Sequence, residues 1–263
     1  MNQPVILSER ERLDEVNQDI KLIQVRDGLT FGTDAYLLAA YMSDVRAKTA
    51  VELGGGTGII SLLTASRGRA EHIVCAEVQS DFCELIRRNA ALNHLDHKLC
   101  ALHADVRDMS ASSLGFEAEV VFSNPPYMKT DSGKRNVSDA KYIARHEVFG
   151  GIYDFCRAAD RLLKFGGKFF CVWRPDRLAD LMDAMRQNHL EPKRMTFVHA
   201  DWNATPSSVL VEAKKGASPS LILTPPLILY HPATSLDGAR ELTDEAANIY
   251  RDCSFSDFFK KKG

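Results

Sequence analysis

The chain lacks the cysteine patterns of a disulfide framework or a zinc site. Its six cysteines form no CxxC pair and no Cys/His cluster, and several lie in apolar, strand-like runs, as small buried thiols do. We therefore expect reduced thiols, a cytoplasmic location and no bound metal. The cysteines are Cys75, Cys83, Cys100, Cys156, Cys171 and Cys253.

Long apolar runs, internal repeats and a strong net charge are also missing. No segment approaches the roughly 20 apolar residues of a membrane span, and the first residues, MNQPVILSERERLDEV, do not follow the pattern of an export signal. The formal net charge of -2 does not by itself indicate a nucleic-acid partner. We expect a soluble protein with no membrane partner. With 263 residues, 45% of them hydrophobic, the chain is long enough for one α/β domain.

Apolar runs and helical patterns alternate along the middle of the chain. Strands are predicted at 50–55, 72–78, 98–105, 118–124 and 168–174, and helices at 58–68, 80–94, 153–164 and 176–190. Such alternation is typical of right-handed βαβ units, which build a parallel sheet with helices on both faces. In these sheets, ligands bind at the carboxyl ends of the strands.

The remaining segments give weaker patterns. Two strand candidates, 193–200 and 207–215, have no convincing helix between them, so we expect an antiparallel hairpin at one side of the sheet. Residues 34–42 look helical, and the tail from 220 onward looks irregular until 241–253. Ser80 is the expected N-cap of the helix that follows it.

The segment ELGGGTG, residues 52–58, ends the first predicted strand and opens the first predicted helix. It is not the dinucleotide fingerprint, because Ile59 stands where that motif needs glycine, and the GxxxxGK[ST] phosphate loop is absent. What fits is Glu52 followed by Gly54, Gly56 and Gly58. Glycine at alternate positions lets the backbone pass close under a bulky ligand. Gly55 adds a further glycine that is expected to loosen the turn without altering its contacts.

Acidic residues end three consecutive predicted strands: Glu52, Glu77 and Asp105. Glu77 follows the glycine loop by about twenty residues, the interval at which a carboxylate meets ribose hydroxyls. Asp105 is placed to accept a hydrogen bond from an adenine amino group. Together with the loop, the series predicts an adenosine-containing ligand.

The fourth predicted strand runs into Asn124, Pro125, Pro126 and Tyr127. Proline cannot donate to a β ladder, so the two prolines lie beyond the paired part of the strand and stiffen the loop. A basic stretch follows at once, with only Asp131 and Asp139 against Lys129, Lys134, Arg135, Lys141 and Arg145.

Together these motifs resemble the class I S-adenosylmethionine-dependent methyltransferases that modify exocyclic amino or amide nitrogens, over residues 48–175. The segments FGTDAYLLAAYM, ARHE and PPLILY extend the resemblance to the bacterial tRNA adenine N6-methyltransferases that act on position 37 of a valine tRNA. The resemblance implies a Rossmann-like, mostly parallel, twisted seven-stranded sheet with an antiparallel strand near one edge. It also implies an N-terminal extension over the cofactor site (1–45), the methyltransferase domain (46–216) and a C-terminal tail on the same domain (217–263).

The resemblance further implies a role for each matching residue, with S-adenosylmethionine as cofactor, S-adenosylhomocysteine as product and tRNA as partner. Asn124 and the Pro125 carbonyl would accept the two hydrogens of the target amino group, Pro126 would stiffen the loop, and Tyr127 would stack on the adenine. The oligomeric state is open, with a monomer favoured. The residues expected at the cofactor are Phe31, Thr33, Glu52, Gly54, Gly56, Gly58, Glu77, Val78, Asp105, Val106 and Asn124, and those expected at RNA are Lys129, Lys134, Arg135, Arg145 and His146.

Other functions share parts of this pattern. A protein glutamine methyltransferase uses the same motif on an amide nitrogen, but usually carries an N-terminal helical domain, for which the roughly 45 residues before the loop leave little room. A DNA or ribosomal RNA adenine methyltransferase is chemically closer, and a non-catalytic RNA-binding module remains as a different class. Ile59 disfavours a nicotinamide oxidoreductase.

Overall fold

The computed structural model describes residues 6–26, 31–126, 150–232 and 240–259. Most of these residues lie in strands and helices. The strands are β1 Glu11–Glu15, β2 Lys21–Val25, β3 Ala47–Leu53, β4 Ala70–Glu77, β5 Leu99–His103, β6 Ala118–Ser123, β7 Leu163–Trp173, β8 Leu190–His199, β9 Pro206–Lys215, β10 Ile222–Leu223 and β11 Leu227–Ile228. The helices are α1 Thr33–Tyr41, α2 Ile59–Ser66, α3 Ser80–Leu92, α4 Ala111–Leu114, α5 Ile152–Leu162, α6 Leu178–Gln187 and α7 Asp244–Asp252.

The main sheet has the strand order β10-β8-β9-β7-β6-β3-β4-β5, and β11 also pairs with β8. The pairs from β5 across to β7 are parallel, while β9 is antiparallel to both β7 and β8. The Rossmann-like parallel sheet with one antiparallel strand near an edge is therefore confirmed. The seven predicted strands are present, and the two-residue strands β10 and β11 lengthen the sheet beyond β8.

The sheet is covered on both faces, as a parallel sheet must be. One buried cluster packs α1, α2 and α3 against the sheet, and a second packs α5 and α6 against the other face. Alternate residues of β3 show this division, because Ala50 belongs to the first cluster whereas Val51 and Leu53 belong to the second.

The N-terminal hairpin β1–β2 was not predicted. Its strands pair antiparallel from Glu11 opposite Val25 to Glu15 opposite Lys21. The Asn89 side chain of α3 accepts from the Ile23 N–H at 2.7 Å and donates to the Ile23 carbonyl at 3.2 Å. A buried amide of one helix thus pairs with the backbone of β2 and attaches the hairpin to the rest of the chain.

Three local predictions differ from the structure. Gln79, not Ser80, is the N-cap of α3, and no side chain caps that helix end. β7 begins at Leu163, because the chain passes from α5 directly into the ladder and Leu163 already pairs with Ala118. The helix predicted from 176 begins instead as a 3-10 turn, Pro175–Arg177, followed by α6.

Within the described ranges, no helix has both the length and the apolar content that a membrane crossing requires.

Candidate active site at the carboxyl edge of the sheet

Four parallel strands end side by side at one edge of the sheet. Leu53 of β3 pairs with Ala76 of β4 on one side and with Ser123 of β6 on the other, and Glu77 pairs with His103. The glycine loop, the two acidic strand ends and the Asn-Pro-Pro segment therefore leave the sheet at one level. The sequence predicted this gathering, and the strand register confirms it.

The glycine loop has the backbone conformation that its sequence indicates. Gly54, Gly56 and Gly58 have φ angles of 73°, 54° and 81°, in the left-handed region that side chains disfavour. The N–H groups of Gly54 and Gly55 donate to the Ala76 carbonyl at 2.9 and 3.0 Å, which fixes the loop to the end of β4. No atom lies within 4 Å of the place where a Cβ of Gly56 would stand, so this part of the loop borders open space.

Glu77 binds the glycine loop directly. One carboxylate oxygen accepts from the Gly56 N–H at 2.9 Å and the other from the Gln79 N–H at 3.0 Å. Burial raises the pKa of this carboxyl, against the lowering effect of the backbone hydrogen bonds. Val78, the next residue, accepts a hydrogen bond from His103 Nε2 through its carbonyl at 2.9 Å.

Glu52 lies beneath the loop, not in it. It is 1% exposed, and its Oε2 accepts from the Ser61 N–H at 3.0 Å, from the Ser61 hydroxyl and from the Cys75 thiol at 3.3 Å. Burial raises its pKa to about 7. Glu52 thus holds the first turn of α2 against the sheet, and these contacts support the loop from below.

Gly55 is packed more tightly than the sequence predicted. A Cβ on this residue would stand 2.1 Å from Cys75 Sγ, whose thiol donates to Glu52. The expectation that Gly55 merely loosens the turn is therefore wrong: glycine is required there because a thiol fills the space below.

Asp105 follows the last residue of β5 by two positions, and its carboxylate is bound by Arg107. Its carboxylate accepts from the Arg107 N–H at 2.9 Å and from the Arg107 guanidinium, and it caps the 3-10 turn Val106–Asp108. The Arg107 hydrogen bond lowers the pKa of Asp105. Val106 is buried.

Asn124, Pro125 and Pro126 follow β6 directly. Ser123 donates its hydroxyl to the Leu53 carbonyl at 2.7 Å, so the start of this segment is tied to the start of the glycine loop. Asn124 is partly exposed and Pro125 is buried. Tyr127 and the predicted RNA contacts Lys129, Lys134, Arg135, Arg145 and His146 lie outside the described residues.

The N-terminus of α1 carries the other predicted cofactor contacts, Phe31 and Thr33. The Thr33 hydroxyl accepts from the Tyr250 hydroxyl at 3.0 Å, and the Tyr250 ring meets Tyr36 edge-on at 5.0 Å. Sequence reasoning missed Tyr250, which lies more than 200 residues away in α7. No local pattern could have found it, because its role depends on where the tail packs.

A family model described as methyltransferase small domain matches residues 25–190 of the chain. A relative from Phocaeicola vulgatus, a tRNA1(Val) (adenine(37)-N6)-methyltransferase, is 31% identical over 189 residues, which cover 72% of this chain and 78% of the relative. A protein of the same name from Porphyromonas gingivalis is 28% identical over 211 residues, covering 77% and 82% of the two chains.

Solved structures share the fold at lower identity. A structure from Agrobacterium tumefaciens described as a predicted O-methyltransferase superposes with a TM-score of 0.67 at 23% identity, covering 85% of this chain and 98% of the other. A 16S rRNA N2 methyltransferase from T. thermophilus, in complex with AdoMet and guanosine, gives a TM-score of 0.56 at 17% identity, covering 80% and 52%. At these identities the likeness shows the fold alone.

Proposed function

The chain belongs to the methyltransferase small domain family, and we propose that it transfers the methyl group of S-adenosylmethionine to the N6 nitrogen of an adenine in tRNA. The observation that carries this proposal is the placement of Asn124 and Pro125 beside the glycine loop, at strand ends joined by the Ser123–Leu53 hydrogen bond. The names of the relatives point to position 37 of a valine tRNA as the target.

The residues at the strand ends fit the cofactor. When bound, S-adenosylmethionine supplies a methyl group on a positively charged sulfur and leaves as S-adenosylhomocysteine. The open space above Gly56 accommodates a bulky group close to the backbone. Glu77 uses one acceptor site on each oxygen for Gly56 and Gln79. A carboxylate has about four acceptor sites, so Glu77 can hold the loop and would also accept from ribose hydroxyls.

The adenine end of the cofactor would lie at Asp105 and Val106. Arg107 keeps the Asp105 carboxylate ionised and fixes its orientation. A fixed carboxylate is a strong acceptor for an exocyclic amino group. Phe31 and Thr33 at the start of α1 would close the pocket from the other side.

The target amino nitrogen is a poor nucleophile because its lone pair is delocalised into the adenine ring. The Asn124 side-chain oxygen and the Pro125 carbonyl would accept its two hydrogens, which favours a pyramidal nitrogen with the lone pair directed at the methyl group. Catalysis of this kind is mostly positioning, which is worth roughly 7–11 kcal/mol when two reactants are held in line. Tyr127 would stack on the target base, a contact worth about 1–3 kcal/mol.

A base paired inside a duplex cannot reach such a pocket, whereas one in a single-stranded loop leaves its stack at low cost. A tRNA loop therefore suits the site better than duplex DNA. The basic residues Lys129, Lys134, Arg135 and Arg145, with His146, follow Tyr127 closely in sequence, where they would contact phosphates next to the target nucleotide.

The test is transfer of tritium from labelled S-adenosylmethionine to three acceptors: bulk tRNA, duplex DNA and a glutamine-bearing release factor. Label is expected in tRNA, and mass spectrometry of its nucleosides should show N6-methyladenosine. Label found only in protein would contradict the proposal and indicate a glutamine amide as the substrate. Label found in none of the acceptors would favour a non-catalytic RNA-binding module. Asn124→Ala is the matched variant: it should remove methyl transfer and keep cofactor binding.

A further inference from the structure

The β8–β9 hairpin stands above the edge of the sheet that carries the candidate active site. Ser123 pairs with Cys171, Cys171 with Val211, and Val211 with Met195, so these four residues lie at one level across the sheet. β8 continues beyond Met195 to His199. At about 3.3 Å for each residue, the hairpin rises about 13 Å above the level at which Asn124 leaves the sheet.

The hairpin also lies close to that site in the sheet plane. β8 is three strands from β6 in the order β8-β9-β7-β6. With neighbouring strands about 4.8 Å apart, the hairpin stands about 14 Å to one side of Asn124. Its tip, residues 200–205, therefore flanks the space above the site, on the side away from Glu77.

Trp202 occupies this tip and is 68% exposed. The tip is held firmly: Asp201 accepts from the Asn203 N–H at 2.9 Å through its side chain and from the Ala204 N–H at 3.2 Å through its carbonyl. His199 Nδ1 donates to the Ala204 carbonyl at 2.8 Å. The indole is thus presented to solvent by an ordered turn.

A single exposed ring needs no explanation by itself, but the tip and the segment paired with it also carry an exposed side-chain amide and an exposed guanidinium. The exposed amide of Asn203 lies next to it. Tyr230 donates its N–H to the Ala200 carbonyl at 2.9 Å, and the exposed Arg240 guanidinium stands 5.9 Å from the Tyr230 ring. Exposed aromatic rings, side-chain amides and guanidinium groups are the side chains on which proteins stack and hold unpaired nucleotides, and the tip and the segment paired with it carry all three.

We propose that Trp202 is a second stacking platform for the RNA substrate, which takes an unpaired base of the same loop as the target adenine. This inference rests on the proposed function and adds a contact that lies outside the methyl-transfer site. The target base enters the site beside Asn124, and another unpaired base of the loop stacks on Trp202, higher up and to one side. Holding two bases of one loop at fixed separation selects a single-stranded loop over a duplex.

The first experiment uses tryptophan fluorescence of the whole protein. The chain has two tryptophans, and Trp173 is 2% exposed, so a change in the exposed emission reports on Trp202. Titration with tRNA, or with its anticodon stem-loop as an oligonucleotide, is expected to quench this emission, and Trp202→Phe is expected to abolish the response. Quenching by a release factor but not by RNA would overturn the proposal.

The second experiment measures methyl transfer to tRNA with Trp202→Ala. A lost base stack of about 1–3 kcal/mol corresponds to a KM for tRNA raised about 5- to 140-fold. We expect the kcat and the affinity for S-adenosylmethionine to stay unchanged, and Trp202→Phe to recover most of the KM. The matched control is Phe165→Ala, which removes an 80% exposed ring near the amino end of β7, at the opposite edge of the sheet. An unchanged KM in Trp202→Ala would refute the inference.

The two proposals fail separately. Wild-type protein that methylates no RNA would contradict the proposed function, and the fluorescence titration would still show whether Trp202 binds a base. A Trp202→Ala variant that methylates tRNA as well as the wild type would leave the proposed function intact and contradict the second platform.

Discussion

Gly55→Ala is predicted to destabilise the protein because of one atom, Cys75 Sγ. The new Cβ would stand 2.1 Å from this sulfur, whereas non-bonded heavy atoms are most stable about 3.5–4.0 Å apart. Forcing an extra carbon into a filled core costs about 1–3 kcal/mol. The φ of Gly55 lies outside the left-handed region, so alanine also restricts the unfolded chain and recovers about 0.4–1 kcal/mol. A net loss of about 1–2 kcal/mol is expected.

Cys75→Ala should remove this penalty. With the sulfur gone, the nearest atoms to the added Cβ are Ile86 Cδ1 at 3.4 Å and the Ala76 carbonyl oxygen at 3.8 Å, both ordinary contacts. In that background, Gly55→Ala should be neutral or stabilising by about 0.4–1 kcal/mol. The assay is urea unfolding of the wild type, both single variants and the double variant, with calorimetric titration of S-adenosylmethionine on each to show whether the loop keeps its shape.

Additivity would refute the reasoning. If the two changes in free energy of unfolding sum to that of the double variant within about 0.3–0.5 kcal/mol, the residues are not coupled and the contact with Cys75 is not what demands glycine.

Three further predictions concern single residues. Glu52→Gln should flatten the dependence of the free energy of unfolding on pH. Burial raises the pKa of Glu52 from 4.5 to about 7, so about 3 kcal/mol of stability is present below pH 4.5 and is lost as the pH rises to 7. An equal slope for the wild type and the variant, measured by urea unfolding at several pH values, would contradict this. Glu77→Ala should weaken S-adenosylmethionine binding more than it lowers stability. An affinity left unchanged, as measured by calorimetry, would count against its proposed contact with the ribose. Tyr250→Phe removes the hydroxyl that donates to Thr33; a hydrogen bond worth about 0.5–1.5 kcal/mol predicts a cofactor Kd raised by up to about tenfold, and an unaltered Kd would separate α7 from the cofactor site.

The location of the site could be predicted from the sequence because it follows from chain direction. Parallel strands joined by helices place all their carboxyl ends at one edge, so Gly54, Glu77 and Asn124 had to meet there once the βαβ alternation was recognised. The order of the strands was not needed for this conclusion. Apolar runs of strand length and helical periodicity extend over enough residues to identify each element despite exceptions at single positions.

The position of the Glu52 side chain follows from the alternation of side chains along β3. Side chains alternate along a strand, so Glu52 shares a face with Ala50, which packs in the same cluster as α2. The alternation therefore placed its carboxylate under the first turn of that helix, where Ser61 supplies an N–H and a hydroxyl. A carboxylate near a helix N-terminus is stabilised by the unpaired N–H groups there. Glu52 thus has a structural role under the loop, and its contact with the cofactor stays a prediction.

The missed elements are short or depend on distant partners. β10 and β11 have two residues each, and such strands carry no periodicity. They exist because β8 has a free edge that they cover. β1 and β2 have five residues each and mix charged with apolar side chains, and their attachment depends on distant α3 residues such as Asn89 and Asn93.

The C-terminal segment is attached to the rest of the protein through contacts that its own side chains barely determine. Arg67 donates to the Arg251 carbonyl at 3.1 Å, Arg69 to the Cys253 carbonyl, and Arg194 to the Phe259 carbonyl at 3.2 Å. Three guanidinium groups from the body of the protein therefore hold the main chain of the tail. Every residue has a backbone carbonyl, so these hydrogen bonds fix the path of the main chain around α7 but set few requirements on which side chains the tail carries. That path brings the Tyr250 hydroxyl to Thr33 at the start of α1, so the tail contacts a residue that the sequence predicts at the cofactor.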